Sequence, residues 1–362
     1  MIRVDYAGPG GACEGLRTLG LTPVGIEWDA AACATRAAAG HLTIRADLAT
    51  YRPHHRPGTV EGYWSSPPCQ TFSSAGKGDG RDQLDDLAAV IHAERWTDAD
   101  LFDPRTRHVI DAARTAVELA PEWVAMEQVP AVLPLWRALA HVLERREYST
   151  WAGVLCAADY GVPQTRRRAI LMASRVRAVS PPVPTHAERP GMFGERPWVS
   201  MADALGWSGC VDRRQTGAPI VPTSRPAPTV TGIAGSKGQW LVKRERSGDR
   251  SEETFDASGP AQALTSKARS WEVKPWPFHH EEGSQGANAK TPEQVQAGDY
   301  DGTEPIRLTV RDALILQGFD PNYPVQGSRS KQFEQIGNAV PPPLAAHIVA
   351  ALTGAQVLRA AS

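Results

Sequence analysis

Short apolar runs alternate with stretches of helical periodicity through roughly the first half of the chain, a pattern that predicts a parallel sheet wrapped by helices. Ile2 to Tyr6, Val24 to Trp28, Leu42 to Ala46 and Gly62 to Ser66 read as strands, with helices over Ala12 to Leu19 and Ala30 to Ala39. A polar stretch follows from Gln70 to Asp100. Then Arg105 to Leu119 reads as a helix, Trp123 to Gln128 as a buried strand and Val132 to Arg146 as a helix, before strands at Thr150 to Cys156 and Arg168 to Ala173. The expected fold is α/β, a Rossmann-like doubly wound sheet.

Beyond Val179 the pattern changes. Pro181, Pro182, Pro184, Pro190, Pro197, Pro219, Pro222, Pro226 and Pro228 punctuate the chain and helical periodicity fades. Arg225 to Thr231, followed by Trp240, resembles Gly259 to Thr265, followed by Trp271; two such copies suggest a repeated strand or hairpin unit rather than a solenoid. The acidic, Gly-rich segment Glu281 to Glu304 reads as a loop or linker. Helical periodicity returns at Thr309 to Gln317 and Pro343 to Leu352, which predicts a return to the first lobe. The expected organisation is therefore a catalytic domain over 1–178, a smaller, irregular, β-rich lobe over 179–305 and a C-terminal segment over 306–362.

Composition narrows the class. With 362 residues, 41% hydrophobic and 22% charged, the chain is ordinary for a globular protein and long enough for a large core. Mean hydropathy of -0.34 and the lack of an 18-residue apolar run predict a cytoplasmic protein with no membrane span. Cys13, Cys33, Cys69, Cys156 and Cys210 are odd in number and scattered, which disfavours a disulfide scaffold and a metal site. The net charge of -1 conceals an asymmetry: Tyr160 to Lys274 holds 14 Arg and 4 Lys against 10 Asp and Glu. That segment is a candidate footprint for a polyanion, with Arg213, Arg214, Arg244, Arg246 and Trp240 as its candidate contacts.

Four motifs suggest chemistry. Gly8-Pro9-Gly10-Gly11 follows the first strand, where backbone without Cβ atoms lets a ligand approach, yet Cys13 stands where a dinucleotide fingerprint needs its third glycine. Glu27-Trp28-Asp29 ends the second strand with an acid for ribose hydroxyls beside an aromatic that can stack on a purine. A tight turn with a surface acid is the competing explanation. Cys69, after Pro67 and Pro68 at a strand's carboxyl end, suits a positioned nucleophile, whereas Cys13, Cys33 and Cys156 read as small buried hydrophobes. Glu127 ends another apolar strand at the same sheet edge, where it can be functional, ion-paired with an arginine of Gln164-Thr165-Arg166-Arg167-Arg168, or both.

Taken in order, these residues resemble the DNA cytosine C5 methyltransferases. The likeness rests on Tyr6 to Gly11, Glu27 to Asp29, Pro68 to Gln70, Glu127 to Val129 and Gln164 to Arg168, then Arg307 to Asp312 with Leu316 to Phe319, and finally Gln335 to Pro341. It spans nearly the whole chain except the Pro-rich lobe, the family's variable target-recognition region. Gln128 stands where the family has Asn, which supports the active-site loop. Tyr6 replaces Phe, and Asp5 falls where Leu is usual, so Asp5 is assigned no role.

The resemblance implies S-adenosyl-L-methionine as cofactor, held by Tyr6, Ala7, Gly8, Gly10, Gly11, Glu27, Trp28, Asp47, Pro67, Leu101 and Asn338; a turn aspartate is the alternative at Asp47. It implies Cys69, Glu127, Arg168 and Arg166 as catalytic residues acting on a flipped-out cytosine. It further implies DNA contacts by Gln70, Ser73 and Gln164, a mobile lid around Gly76, Gly78 and Gly80, and a monomer acting on double-stranded DNA with a cognate restriction endonuclease as a partner. An RNA cytosine methyltransferase and a DNA-binding protein without turnover stay open as alternatives.

Overall fold

The computed structural model describes residues 1–53, 55–68, 70–72, 80–191, 194–206 and 309–357, and the backbone of short strands between 240 and 307. Cys69, Ser73, Gly76, Gly78, Arg213, Arg214, Arg244, Arg246, the first repeat copy and the acidic linker lie outside the described residues.

In chain order the main elements are β1 (Ile2–Asp5), α1 (Gly11–Arg17), β2 (Pro23–Glu27), α2 (Ala30–Ala38), β3 (Leu42–Arg45), β4 (Gly62–Ser65), α3 (Leu84–His92), α4 (Pro104–Leu119), β5 (Trp123–Gln128), α5 (Leu133–Glu144), β6 (Ser149–Cys156), β7 (Gln164–Thr165), β8 (Arg167–Ser174), α6 (Met201–Leu205), α7 (Val310–Gln317), α8 (Arg329–Asn338) and α9 (Pro342–Thr353). Seven strands form one sheet in the order β3-β2-β1-β4-β5-β8-β6. The first five run parallel, while β8 runs antiparallel to both β5 and β6.

Helices cover both faces of the sheet. One layer packs Leu87, Val90, Ile91, Val109, Trp136 and Leu139 of α3, α4 and α5 against Tyr63, Val124, Met126 and Leu171. The opposite layer packs Leu16 of α1 with Leu344, Ile348 and Val349 of α9 against Ile2, Val4, Trp64, Ala125 and Ile170. All six residues of β5 are buried, as expected for a central strand covered on both sides. The expected doubly wound sheet is therefore present.

Local chemistry explains most element boundaries. Asp29 caps α2 by accepting from the Ala31 and Ala32 N–H groups, and Asp103 caps α4 ahead of Pro104. Thr309 and Asp312 form a reciprocal capping box at the start of α7, whose end is marked by Gly318 at φ 81°. Two elements correct the sequence reading. The polar stretch from Gln70 contains α3, whose Leu87, Val90 and Ile91 are buried, and a short 3-10 segment at Trp96–Leu101. Helix α8 buries Phe333 and Ile336 within an otherwise polar sequence.

In the later lobe, Trp240–Lys243 pairs antiparallel with Glu253–Asp256, and Glu272–Val273 with Ile306–Arg307. Ala261–Gln262 of the second repeat copy pairs with β7. Among the described residues no helix is long and apolar enough to cross a membrane.

Candidate active site

The carboxyl ends of β1, β2, β4 and β5 share one edge of the sheet, the edge where open α/β sheets gather ligands. Two groups of side chains stand along it, one at the ends of β1 and β2 and one at the ends of β4 and β5.

At the first group, the chain leaves β1 through Tyr6 at φ 53°, Gly8 at φ 53° and Gly10 at φ 113°. Left-handed backbone is accessible to glycine without penalty; at Tyr6 it is strained. A Cβ at Gly8 would meet nothing within 4 Å, so open space borders the loop there. Glu27, at the end of β2, is buried and turns back onto this loop. Its Oε2 accepts from Gly8 N–H at 2.7 Å, and its Oε1 accepts from the N–H groups of Trp28 and Asp29 at 2.9 and 2.8 Å. Two acceptor sites per oxygen leave Oε1 full and Oε2 with one site to spare.

Trp28 is 67% exposed and Leu101 80% exposed, large apolar surfaces that a ligand could cover. Tyr6 is held from behind: its hydroxyl lies 3.2 Å from His108 Nδ1, with the rings edge to face at 5.4 Å. Burial pushes the Tyr6 phenol well up and the His108 imidazole down, so near neutral pH a protonated hydroxyl shares a hydrogen bond with an uncharged ring. Asp47 is exposed, and its Oδ1 accepts from Ala49 N–H at 2.9 Å within its own turn, the arrangement of a turn aspartate. Asn338 is exposed at the end of α8, while Ala7, Gly10, Gly11 and Pro67 are buried. A loop open at Gly8, a spare carboxylate acceptor and an uncovered indole fit an adenosine-type ligand.

At the second group, Glu127 is 5% exposed. Arg168 Nε lies 2.9 Å from its Oε1 and Arg166 Nη2 4.0 Å away. Both expected explanations of Glu127 are thus compatible, because it is ion-paired and still at the sheet edge. That oxygen is sealed from solvent and accepts no aligned hydrogen bond among the described residues. A buried acceptor in this state favours any donor a substrate brings to it.

The antiparallel direction of β8 creates this pairing. Gln128 stands opposite Ala169 and Glu127 opposite Ile170, so the arginines that start β8 meet the acid that ends β5. Arg166 is buried and donates to Gly337 O at 2.9 Å, tying the site to α8.

Gln128 resolves the departure from the family's Asn. It is 2% exposed; its Nε2 donates to Pro67 O at 2.9 Å and its Oε1 accepts from Val129 N–H at 2.5 Å. The longer side chain therefore spans from β5 to the turn just before Cys69. Gln70 is exposed on that turn. Gln164 is fully buried, donating to Leu316 O and Gln317 Oε1 at 3.0 and 2.7 Å, a placement that argues against its expected DNA contact.

Several structural participants escaped the sequence reading. Asp5 is buried in a two-pronged ion pair with Arg3 and accepts from the Tyr63 hydroxyl at 3.0 Å. The replacement of Phe by Tyr at position 6 was the one signal that a partner such as His108 should exist. Cys13 is fully buried as expected, but Cys33 and Cys156 are only half-buried.

Comparison with known proteins follows the same line. A family model described as C-5 cytosine-specific DNA methylase matches residues 6–354. The chain is 27% identical over 370 residues to the type II methyltransferase M.NgoMIV of Neisseria gonorrhoeae, covering 98% of this chain and 96% of that one. It is 28% identical over 354 residues to the type II methyltransferase M.NaeI of Lentzea aerocolonigenes, covering 94% and 71%. Among solved structures it resembles a Spodoptera frugiperda DNMT2 mutant with a TM-score of 0.56 at 14% identity, covering 97% and 98% of the two chains. A putative DNA modification methyltransferase encoded within an Escherichia coli prophage superposes with a TM-score of 0.52 at 15% identity, covering 98% of each.

Proposed function

This chain belongs to the C-5 cytosine-specific DNA methylase family as a DNA cytosine-5 methyltransferase, and from that premise we propose that it methylates a cytosine flipped out of duplex DNA, with Cys69 as nucleophile. The observation that carries the chemistry is the sealed Glu127 Oε1, which accepts no aligned hydrogen bond among the described residues although Arg168 Nε stands 2.9 Å away.

Cytosine C5 is a poor nucleophile until ring aromaticity is broken. On this reading the Cys69 thiolate adds to C6 while Glu127 holds or protonates N3, which makes C5 enamine-like. Arg168 hydrogen-bonds the base O2 and Arg166 positions the base through its tie to Gly337 O. After C5 is methylated, loss of the C5 proton to solvent, elimination of the Cys69 thiolate and return of any proton from N3 to the Glu127 carboxylate restore the ring. Gln128 keeps Pro67, and with it the turn carrying the nucleophile, in register with Glu127.

S-adenosylmethionine, when bound, supplies an electrophilic methyl group. Gly8, Gly10 and Gly11 would cradle it, with Glu27 Oε2 to hold a ribose hydroxyl, Trp28 and Tyr6 to hold the adenine, and Ala7, Pro67, Leu101, Asp47 and Asn338 as further residues that would contact it. Extruding the base costs a few kcal/mol, which contacts from the basic later lobe offset. Gln70, Ser73, Arg213, Arg214, Trp240, Arg244 and Arg246 are the proposed contributors. The lobe over 179–305 reads the site, and an endonuclease cutting the same sequence is the proposed partner, by analogy with the type II relatives.

Duplex DNA carrying 5-fluorocytosine tests the scheme, since fluorine cannot leave C5 as a cation. Expected is a covalent adduct through Cys69 that depends on S-adenosylmethionine and survives denaturants. Its absence under conditions where ordinary DNA is methylated excludes the mechanism.

A further inference from the structure

Tyr323 belongs to none of the motifs, yet it touches the loop on which the cofactor reading depends. It lies between α7 and α8, is 8% exposed, and donates from its hydroxyl to Pro9 O at 2.6 Å across 314 residues of sequence. His41 Nε2 stands 3.1 Å from the same hydroxyl and 3.0 Å from Glu14 Oε1. Burial raises the Tyr323 phenol far above its ordinary value, so it remains an O–H donor throughout the neutral range.

Pro9 sits between two glycines of positive φ, and proline offers no N–H of its own for anchorage. The loop is held at Gly8 by Glu27 Oε2 and at Gly10, whose N–H donates to Ala7 O at 3.1 Å; the Pro9 carbonyl between them takes its tie from Tyr323. The tie is close-fitting: a Cβ on Gly10 would come within 2.6 Å of His41 Nε2 and 2.8 Å of the Tyr323 hydroxyl. Phe319 packs on Tyr323 at 4.7 Å, and a Cβ on Gly11 would approach its ring at 3.2 Å. The C-terminal segment is thus moulded to a loop without side chains.

We propose that Tyr323, backed by His41, is a positioning residue for cofactor binding, fixing Pro9 so that Gly8 N–H stays on Glu27 Oε2 and the cradle is formed before the ligand arrives. The proposal rests on the reading of this loop as the cofactor's seat. Preorganisation of this kind acts on affinity rather than on the chemical step.

The test compares full-length wild type with Tyr323→Phe, which keeps the ring and its packing and removes the Pro9 bond. Dissociation constants for S-adenosylhomocysteine are measured by calorimetry, together with steady-state kinetics. The expected result is a rise of about 3- to 10-fold in that constant and in KM for S-adenosylmethionine, the worth of one net hydrogen bond, with kcat and KM for DNA changed less than about twofold. His41→Ala raises the same constant less, and adds little to Tyr323→Phe because both act through one contact.

Thr309→Ala, which weakens the α7 capping box away from the loop, serves as the control for general loosening. It should lower the thermal midpoint and leave the binding constant unchanged. An unchanged constant in Tyr323→Phe, a loss confined to kcat, or an equal rise in Thr309→Ala overturns the proposal alone. Wild-type protein that binds no S-adenosylhomocysteine overturns the cofactor reading and this proposal with it.

Discussion

Two buried glutamates stand at the ends of two parallel strands of one sheet, and their surroundings are opposite. Glu27 accepts three backbone N–H groups and keeps one acceptor site. Glu127 has an oxygen with no aligned donor among the described residues and two arginines near it. A carboxylate saturated by backbone amides fixes a loop and is costly to disturb; one left short of donors holds its capacity for what enters later. The contrast supports the proposed roles, Glu27 as the group that shapes a site and Glu127 as the group that acts in one.

The contrast makes separable predictions. The largest effect is expected for Glu127→Gln, which keeps shape but loses the proton: kcat should fall by about 100- to 10,000-fold, while affinity for S-adenosylhomocysteine stays within about twofold. Equal losses in rate and affinity would erase the distinction between the two sites.

Glu27→Ala should behave in the reverse sense. Three N–H groups lose their acceptor, each at about 1–3 kcal/mol where water cannot replace it, so the affinity should fall by roughly 10- to 100-fold and the thermal midpoint should drop. Turnover at saturating cofactor should be largely retained. Calorimetry and melting curves measured on the same preparation check both halves, and a variant that binds normally would sink the assignment of Glu27.

Acidification gives the smallest effect and sharpens the comparison. On the cofactor side, His108 has its pKa lowered by burial, as does His347 on α9. The unfolded chain therefore takes up these protons first, near pH 6.5, and stability present above that value is lost as the pH falls toward the lower folded values. On the catalytic side the groups facing Glu127 among the described residues are Arg166 and Arg168, and no histidine stands among them. Melting curves from pH 7.5 to 5.5 should shift downward by a few degrees in wild type and less in His108→Asn. An identical shift in both would remove His108 from the account.

The central strands β5 and β8 were readable in the sequence because they carry near-continuous apolar runs, which Glu127 and Gln128 break only at the carboxyl end of β5. Two helices were not. In α3, Asp85 and Asp86 dilute the spacing of Leu84, Leu87 and Ile91, and α8 offers only Phe333 and Ile336 as apolar positions. The site divides similarly. Cofactor-loop glycines and Glu127 stand in recognisable local contexts, whereas His108, Gln128 and Tyr323 act through partners 61 to 314 residues away. Asp5 went unassigned for the same reason, since only folding brings it under the Tyr63 hydroxyl.

The tie from Tyr323 to Pro9 also has a meaning in the time taken to make the protein. At about 5–20 residues per second, Tyr323 is synthesised roughly 15 to 60 seconds after the loop it secures. Glu127, Arg166 and Arg168 are all in the chain by then, so a polypeptide halted short of Tyr323 would carry them beside a glycine loop that Glu27 holds at Gly8 but that lacks its tie at Pro9. Unfinished and prematurely terminated chains would thus be poor at retaining the methyl donor, and the ability to mark DNA would arrive late in translation, with the residues that close the oldest part of the fold.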